Sequence, residues 1–169
     1  MQMTELFLAE IDREGERSKR ALEQVPDDKQ DWKPHEKSMK FGPLCQMVAA
    51  MPSWVAMAIN MDELDLNPPG GSSHRPAPMR TSAELLEGLE KALADARTAL
   101  KKTSDDYLQT PWRLLVAGKV VSEMPRHIVI RDMLNHLAHH RGQMTVYLRL
   151  LGSKVPALYG PSADDNRFD

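Results

Sequence analysis

The chain has little of several features that mark specialised protein classes. Cys45 is its single cysteine among 169 residues, which excludes an intramolecular disulfide and fits a reducing cytoplasm. No apolar run reaches membrane-spanning length, and acidic residues begin at Glu5, too early for a signal peptide. The formal net charge is −2, so the basic face typical of nucleic-acid binding is not indicated. We therefore expect a cytoplasmic protein that binds neither nucleic acid nor membrane.

Signatures of common catalytic sites are also missing. The sequence has no glycine loop that could cradle a phosphate, no paired-carboxylate motif and no Ser-His-Asp spacing. Nothing basic flanks Cys45, so a nucleophilic thiol is poorly supported. Hydrophobic residues make up 41% and charged residues 27%, an ordinary balance with enough length for a buried core. We expect one domain over residues 1–169.

Apolar residues recur at three- and four-residue steps in four segments, which predicts four helices. In chain order these are about 4–25, 43–59, 81–102 and 128–151. Pro52 lies inside the second helix and predicts a kink there, because proline removes a helical hydrogen bond. Thr81 and Glu84 form a capping box at the start of the third helix, and Gly152 is the expected cap after the fourth.

The connections between these helices carry topological information. Segment 67–80 is too rich in proline and glycine for regular structure. It is also longer than an antiparallel helix pair needs, so the second and third helices are predicted to be parallel and joined by a crossover. Segment 112–124 alternates weakly around Ala117-Gly-Lys119, which predicts a short hairpin or an irregular strap before the last helix. The predicted fold is an all-α four-helix bundle.

The most informative residues are two histidines in the run Asn135-His-Leu-Ala-His-His-Arg-Gly-Gln143. His136 and His140 are neighbours on one helix face, so their rings can close on one metal ion. They follow the apolar stripe, so we expect both to face the core and His139 to lie on the flank. Burial removes hydration from each ring, so the pair needs a partner. In a functional site, that partner is a metal ion. In a core pair with a structural role only, it is water or a side chain such as Tyr147.

The other candidate residues have a functional and a structural interpretation each. Three histidines are expected in solvent, in loops or at helix edges: His35, His74 and His127. Two tryptophans are candidates for a pocket wall or for ordinary packing: Trp54 and Trp112. Two acids are candidates for bases or histidine partners, or are surface charges: Glu123 and Asp132. The 11 methionines are expected to be mainly adaptable core filler.

The stretch from Arg131 to Asp165 closely resembles the C-terminal signature of the DinB/YfiT-like family. These are metalloproteins unrelated to the DNA polymerase that shares the DinB name. Asp31-Trp-Lys-Pro-His35, Pro52-Ser-Trp54 and Met124-Pro-Arg126 also resemble the family, so the likeness spans nearly the whole chain. It implies a four-helix bundle in up-down-down-up order and a homodimer.

The resemblance also implies a metal site with one ligand replaced. Family members place three histidines around one divalent ion such as zinc or nickel, and His136 and His140 match two of them. The third position, five residues before Pro52, is Met47, whose thioether is a poor ligand for zinc or nickel. Cys45 and the adjacent Gln46 lie at other angles around the helix and do not replace it. The site is therefore expected to be degenerate.

Two function classes follow from these observations. The first is a non-catalytic dimeric module that keeps the bundle and its pocket and binds a small molecule or thiol, in stress or detoxification. The second, which the resemblance implies, is a metal-dependent enzyme of the thiol S-transferase, isomerase or hydrolase type, whose metal would lower the pKa of a bound thiol. Met47 favours the first class, and the family likeness favours the second.

Overall fold

A computed structural model of the chain describes residues 1–71 and 77–168. These residues form mostly helix, together with a small three-stranded sheet. The helices are α1 (Met3–Leu22), α2 (Phe41–Ala50), α3 (Ser53–Asn60), α4 (Ser82–Lys102), α5 (Asp105–Leu108) and α6 (Arg126–Leu150). The strands are β1 (Glu63–Asp65), β2 (Pro111–Val116) and β3 (Lys119–Pro125). The fold is consistent with a helical bundle, but the all-α prediction was wrong because of the sheet.

The two predicted helix caps are confirmed. The Thr81 hydroxyl accepts a hydrogen bond from the Glu84 backbone at 3.2 Å, and the Glu84 carboxylate accepts one from the Thr81 backbone at 3.0 Å. This reciprocal pair satisfies two amides that the first turn of α4 leaves open. At the end of α6, Gly152 has φ +76°, a left-handed conformation that glycine adopts without a Cβ clash.

The predicted kink at Pro52 is a complete break between α2 and α3. The two axes bend by 52°. Pro52 has no N–H to donate to Val48, and the helix restarts at Ser53. Among the described residues no single helix combines the length and the hydropathy needed to cross a bilayer; α2 and α3 reach them only together, across this bend.

Contacts at both ends of α1 fix its direction relative to α4. The Met3 backbone N–H donates to the Asp105 carboxylate at 2.8 Å, just beyond the end of α4. At the opposite end, the Ser82 hydroxyl donates to the Leu22 carbonyl at 2.9 Å, at the start of α4. The first helix and α4 are therefore antiparallel, and they pack directly on each other.

Arg126 fixes the direction of α6. Its guanidinium donates to the Ala58 carbonyl at 2.5 Å and lies 4.5 Å from the centre of the Tyr107 ring. The start of α6 thus meets the end of α3 and also α5, which lies beside the start of α1. Two helices, α1 and α6, run one way and α3 and α4 the other, as expected for an up-down-down-up order.

The sheet packs against α6. Strands β2 and β3 form the predicted hairpin, and the turn residues Ala117 and Gly118 have φ values of 52° and 75°. Strand β1 was not predicted; it pairs in parallel with β2, with Glu63 opposite Arg113. The Asp65 carboxylate accepts hydrogen bonds from the backbone N–H groups of Ala117 at 3.0 Å and Gly118 at 2.7 Å. One side chain therefore ties β1 to the hairpin turn.

Candidate functional site

His136 and His140 contact each other directly on α6. Their Nε2 atoms are 2.8 Å apart, and their ring centres are 4.5 Å apart. The four-residue spacing places the rings one above the other on the helix, as the sequence predicted. Tyr147 does not bridge them, because its hydroxyl donates to the Met39 carbonyl at 3.3 Å. The Nε2 atom of each ring therefore has the other ring as its partner.

Gln143 sets the tautomers of the two rings. Nδ1 of His140 lies 2.8 Å from Oε1 of Gln143, and an amide oxygen can only accept, so this nitrogen carries the proton. Nε2 of neutral His140 is then an acceptor, and His136 donates to it through Nε2–H. Nδ1 of His136 keeps a lone pair and has no partner among the described residues. Gln143 was not singled out from the sequence, although its three-residue spacing from His140 is a usable signal.

The prediction that both rings face the core holds for one of them. His140 is 9% exposed, whereas His136 is an exposed residue at the wall of a cavity. The ring centre of His136 lies 5.8 Å from a ring of Trp54, so one side of it is screened. This partial desolvation, with the neighbouring His140 and His139 rings, lowers the pKa of His136 below its ordinary 6.5. His136 is thus a neutral ring within reach of a ligand.

The cavity beside His136 has a volume of about 490 Å³ and lies between the sheet, α3 and α6. Its walls are mainly apolar: Trp54, Met57, Leu64, Leu66, Trp112, Leu114, Met124, Val129 and Met133. Its polar lining residues are Ser122, Asp132 and His136. The two tryptophans therefore line a pocket, one of their two predicted roles. Mostly apolar walls with a few polar groups are typical of small-molecule sites.

The donor set does not fit a divalent ion held by three strong ligands. Among residues 1–71 and 77–168, no group of three or more His, Cys, Asp or Glu side chains could hold a metal ion. Gln46 is engaged elsewhere, since its amide contacts the Ala77 carbonyl at 3.2 Å and the Met79 N–H at 3.3 Å. Cys45 is fully buried, and burial raises the pKa of its thiol. Met47 is half-buried against the core and offers a thioether alone.

The remaining histidines are His35, His74, His127 and His139. His35 is exposed, as predicted. His127 was expected in solvent but is half-buried, and its Nδ1 lies 3.1 Å from the Leu108 carbonyl, because the start of α6 packs against α5. His139 is exposed on the flank, and its ring centre is 5.1 Å from that of His140. His74 lies outside the described residues.

The two candidate acids, Asp132 and Glu123, lie in different places. Asp132 lines the cavity one helical turn before His136, although no hydrogen bond joins the two among the described residues. Glu123 is exposed on the opposite face of the sheet from the cavity, and on β3 it pairs with Arg113 of β2. Asp132 is therefore a site residue, and Glu123 is surface charge.

A buried charge network escaped the sequence reasoning. Glu14 of α1 accepts from Arg17 at 2.6 Å, from the Tyr159 hydroxyl at 2.9 Å and from Arg141 of α6. Arg141 also donates to the Ser18 hydroxyl at 3.0 Å. Burial by itself would raise the pKa of Glu14, but the charge of Arg141 and the three donors lower it overall. This network fastens the C-terminal segment to α1 and α6.

Two sequence comparisons relate the chain to known proteins. The model of the DinB family matches residues 1–167. Uncharacterized protein YrdA of Bacillus subtilis (strain 168) is 33% identical over 90 residues, which is 52% of this chain and 51% of that protein. The match thus spans about half the length of this curated relative.

Solved structures show the same fold at low sequence identity. A DinB-like protein from Bacillus cereus ATCC 10987 is 21% identical with a TM-score of 0.69, over 90% of this chain and 95% of that one. A DinB-like protein from Bacillus subtilis, YjoA, is 15% identical with a TM-score of 0.68, over 95% and 99%. A conserved protein from Enterococcus faecalis is 18% identical with a TM-score of 0.62, over 89% and 97%.

Proposed function

The chain belongs to the DinB family, and we propose that it is a small-ligand-binding module of that family with a degenerate metal site. The ligand occupies the cavity beside His136, and the protein acts in the cytoplasm in stress or detoxification. His136 and His140 hold no tightly bound zinc or nickel, because the position that the family resemblance assigns to a third imidazole is Met47. Three protein ligands are the usual minimum for a catalytic zinc site.

The observation that carries this proposal is the cavity itself. Its volume of about 490 Å³ is within the ordinary range of ligand sites, about 300–1,000 Å³. Cross-strand pairs Trp112–Met124 and Leu114–Ser122 form the sheet side, and Asp132 lies on the helix side. Because the wall joins sheet and helices, the protein can hold a ligand of drug-like size without needing a metal.

A titration with the neutral fluorescent probe N-phenyl-1-naphthylamine tests this site. Two tryptophans line the cavity, so the bound probe should quench their emission and gain fluorescence itself. Ser122→Phe should fill the cavity and weaken binding at least tenfold. Glu123→Phe is the matched control, because the next residue along a strand faces the other side of the sheet. No saturable binding to the wild-type protein, or equal loss in both variants, would contradict the proposal.

A metal-dependent enzyme is the second candidate, and one observation favours it. Gln143 holds His140 so that its Nε2 lone pair is free of a proton, the arrangement common in metal-binding histidines. The Nε2 atom of His136 converges on the same point. The alternative therefore predicts a thiol transferase, an isomerase or a hydrolase with zinc or nickel on this pair.

Metal analysis of protein purified without a histidine tag separates the two candidates. We expect well under one equivalent of zinc or nickel, and Met47→His should raise zinc affinity by supplying the third imidazole. Gln46→His is the control, because its side chain is directed to Ala77 and Met79 and not to the pair. One full equivalent that survives mild chelation in the wild-type protein would favour the enzyme instead.

We also propose that the protein is a homodimer. Several large apolar side chains are exposed to solvent. Those on β3 and α6 are Val120, Val121, Ile128, Val146 and Leu150. Such residues are candidates for burial between subunits. Light scattering at micromolar concentration should give twice the chain mass; a monomer alone would reject the dimer.

A further inference from the structure

We propose that the cavity selects lipophilic amines, molecules that carry a protonated amino group on an aromatic or aliphatic body. This inference rests on the small-ligand site proposed above and assigns the chemical class of its occupant. Three properties of the wall lead to it: the sign of its charge, the direction of its hydrogen bonding and its aromatic surface.

The charge of the wall has one sign. Among the described lining residues Asp132 carries a formal negative charge, and no lysine or arginine lines the cavity. An anionic ligand would meet a like charge and no cation, which is unfavourable even though water screens the exposed Asp132. A cationic ligand would find a partner at Asp132 while its body stays out of water. The wall therefore discriminates against acids and in favour of amines.

The uncharged polar group beside Asp132 is also an acceptor. Nε2 of His136 is committed to His140, and Nδ1 of His136 carries a lone pair. Asp132 and His136 are one turn apart on α6 and line the same cavity. A protonated amine has up to three N–H donors and no acceptor, so it can satisfy both residues at once. A carboxylate would leave both without a donor.

The aromatic wall supplies a further preference for a cation. Trp54 and Trp112 both line the cavity, and the Trp54 ring lies 5.8 Å from the ring of His136. The indole Nε1 of Trp112 is buried and has no hydrogen-bond partner among the described residues, so Trp112 offers a ligand no accessible N–H. Tryptophan is the best side chain for binding a cation over its ring face. The acceptors on α6 and the Trp54 ring on α3 thus lie close together on the helix side of the cavity, and Trp112 lies on the sheet side.

Three ligands of nearly equal size test this selection: 2-phenylethylamine, 2-phenylethanol and 3-phenylpropionate. Each is titrated at pH 7.5 and low salt against the full chain, with quenching of tryptophan emission as the readout. Because Asp132 is exposed and screened by water, we expect the amine to bind about three- to tenfold more tightly than the alcohol. The propionate should bind more weakly than the alcohol.

Variants of Asp132 assign the preference to this residue. Asp132→Asn should weaken binding of the amine more than binding of the alcohol, so that the amine-to-alcohol affinity ratio falls toward one. Asp132→Glu keeps the charge and should keep a preference for the amine. Glu90→Gln is the matched control, since it removes the same charge from an exposed position on α4 outside the cavity.

The outcomes separate this inference from the proposed function. If the alcohol or the propionate binds as tightly as the amine, amine selection is wrong and the small-ligand site stands. If Asp132→Asn keeps the ratio, the assignment of the preference to the Asp132 charge is wrong. If N-phenyl-1-naphthylamine binds and the amine does not, amine selection is likewise wrong. If neither that probe nor any of the three ligands binds, the proposed function fails and this inference fails with it.

Discussion

Replacing Glu14 by glutamine perturbs the network that joins α1, α6 and the C-terminal segment. The carboxylate is 6% exposed and accepts hydrogen bonds from Arg17, Arg141 and Tyr159. Glutamine keeps the size of the side chain and removes the charge, so two buried guanidinium groups lose their anionic partner. Breaking a buried ion pair on one side costs about 3–5 kcal/mol. Because the amide oxygen still accepts one hydrogen bond, we expect a loss of about 3 kcal/mol, at the lower end of that range.

Urea unfolding followed by circular dichroism measures this loss, and its pH dependence identifies the charge. The folded-state pKa of Glu14 is lowered, so its contribution is complete above the unfolded value of 4.5 and is lost as pH falls through the folded pKa. The difference between wild type and Glu14→Gln should therefore shrink below pH 4.5. Glu16→Gln, exposed on the same helix, should change stability by less than about 0.5 kcal/mol. A loss under about 1 kcal/mol for Glu14→Gln, or a constant gap across pH, would refute the reasoning.

Three further variants test other parts of the structure. Arg126→Met should lower the free energy of unfolding by about 3 kcal/mol, because buried acceptors lose their donor; Arg131→Met, on the exposed side of α6, should be nearly neutral in the same urea melts. Ala117→Asn should raise the free energy of unfolding by about 0.5–1 kcal/mol, and with it the melting temperature, because asparagine tolerates the φ of 52° better than alanine. No gain in stability would show that the turn is unstrained. The lowered pKa of His136 means that the folded state binds fewer protons, so stability falls as pH drops from about 6.5 through the folded pKa. His136→Gln should flatten this part of the profile, and an unchanged slope would assign it to another group.

The sequence predicted the features that depend on neighbouring residues. Thr81 and Glu84 predict the start of a helix, because both partners of the capping box lie within one turn. The hairpin around Gly118 follows from local alternation and a turn residue with positive φ. His136 and His140 meet because four residues are about one turn of any α-helix. None of these features requires knowledge of distant parts of the chain.

What the sequence could not show depends on contacts between distant segments. Strand β1 is three residues long, and its partner strand follows after α4, so no local pattern marks it. Spacing places His136 and His140 on one face, but only the position of the sheet and α3 decides that a cavity meets the first ring. Arg141 is fully buried although arginine is ordinarily a surface residue, because Glu14 and Tyr159 reach it from other elements.

The parallel pairing of β1 with β2 also has a consequence for the order of folding. The hairpin of β2 and β3 closes locally, whereas Asp65 must reach the N–H of Ala117 from 52 residues away. Closing so long a loop lowers the chain entropy before any stabilising contact forms. We therefore expect β1 to join the sheet late. Leu64 of β1 is part of the cavity wall, so the complete cavity should also form late. A ligand bound there would then slow unfolding and leave the folding rate unchanged.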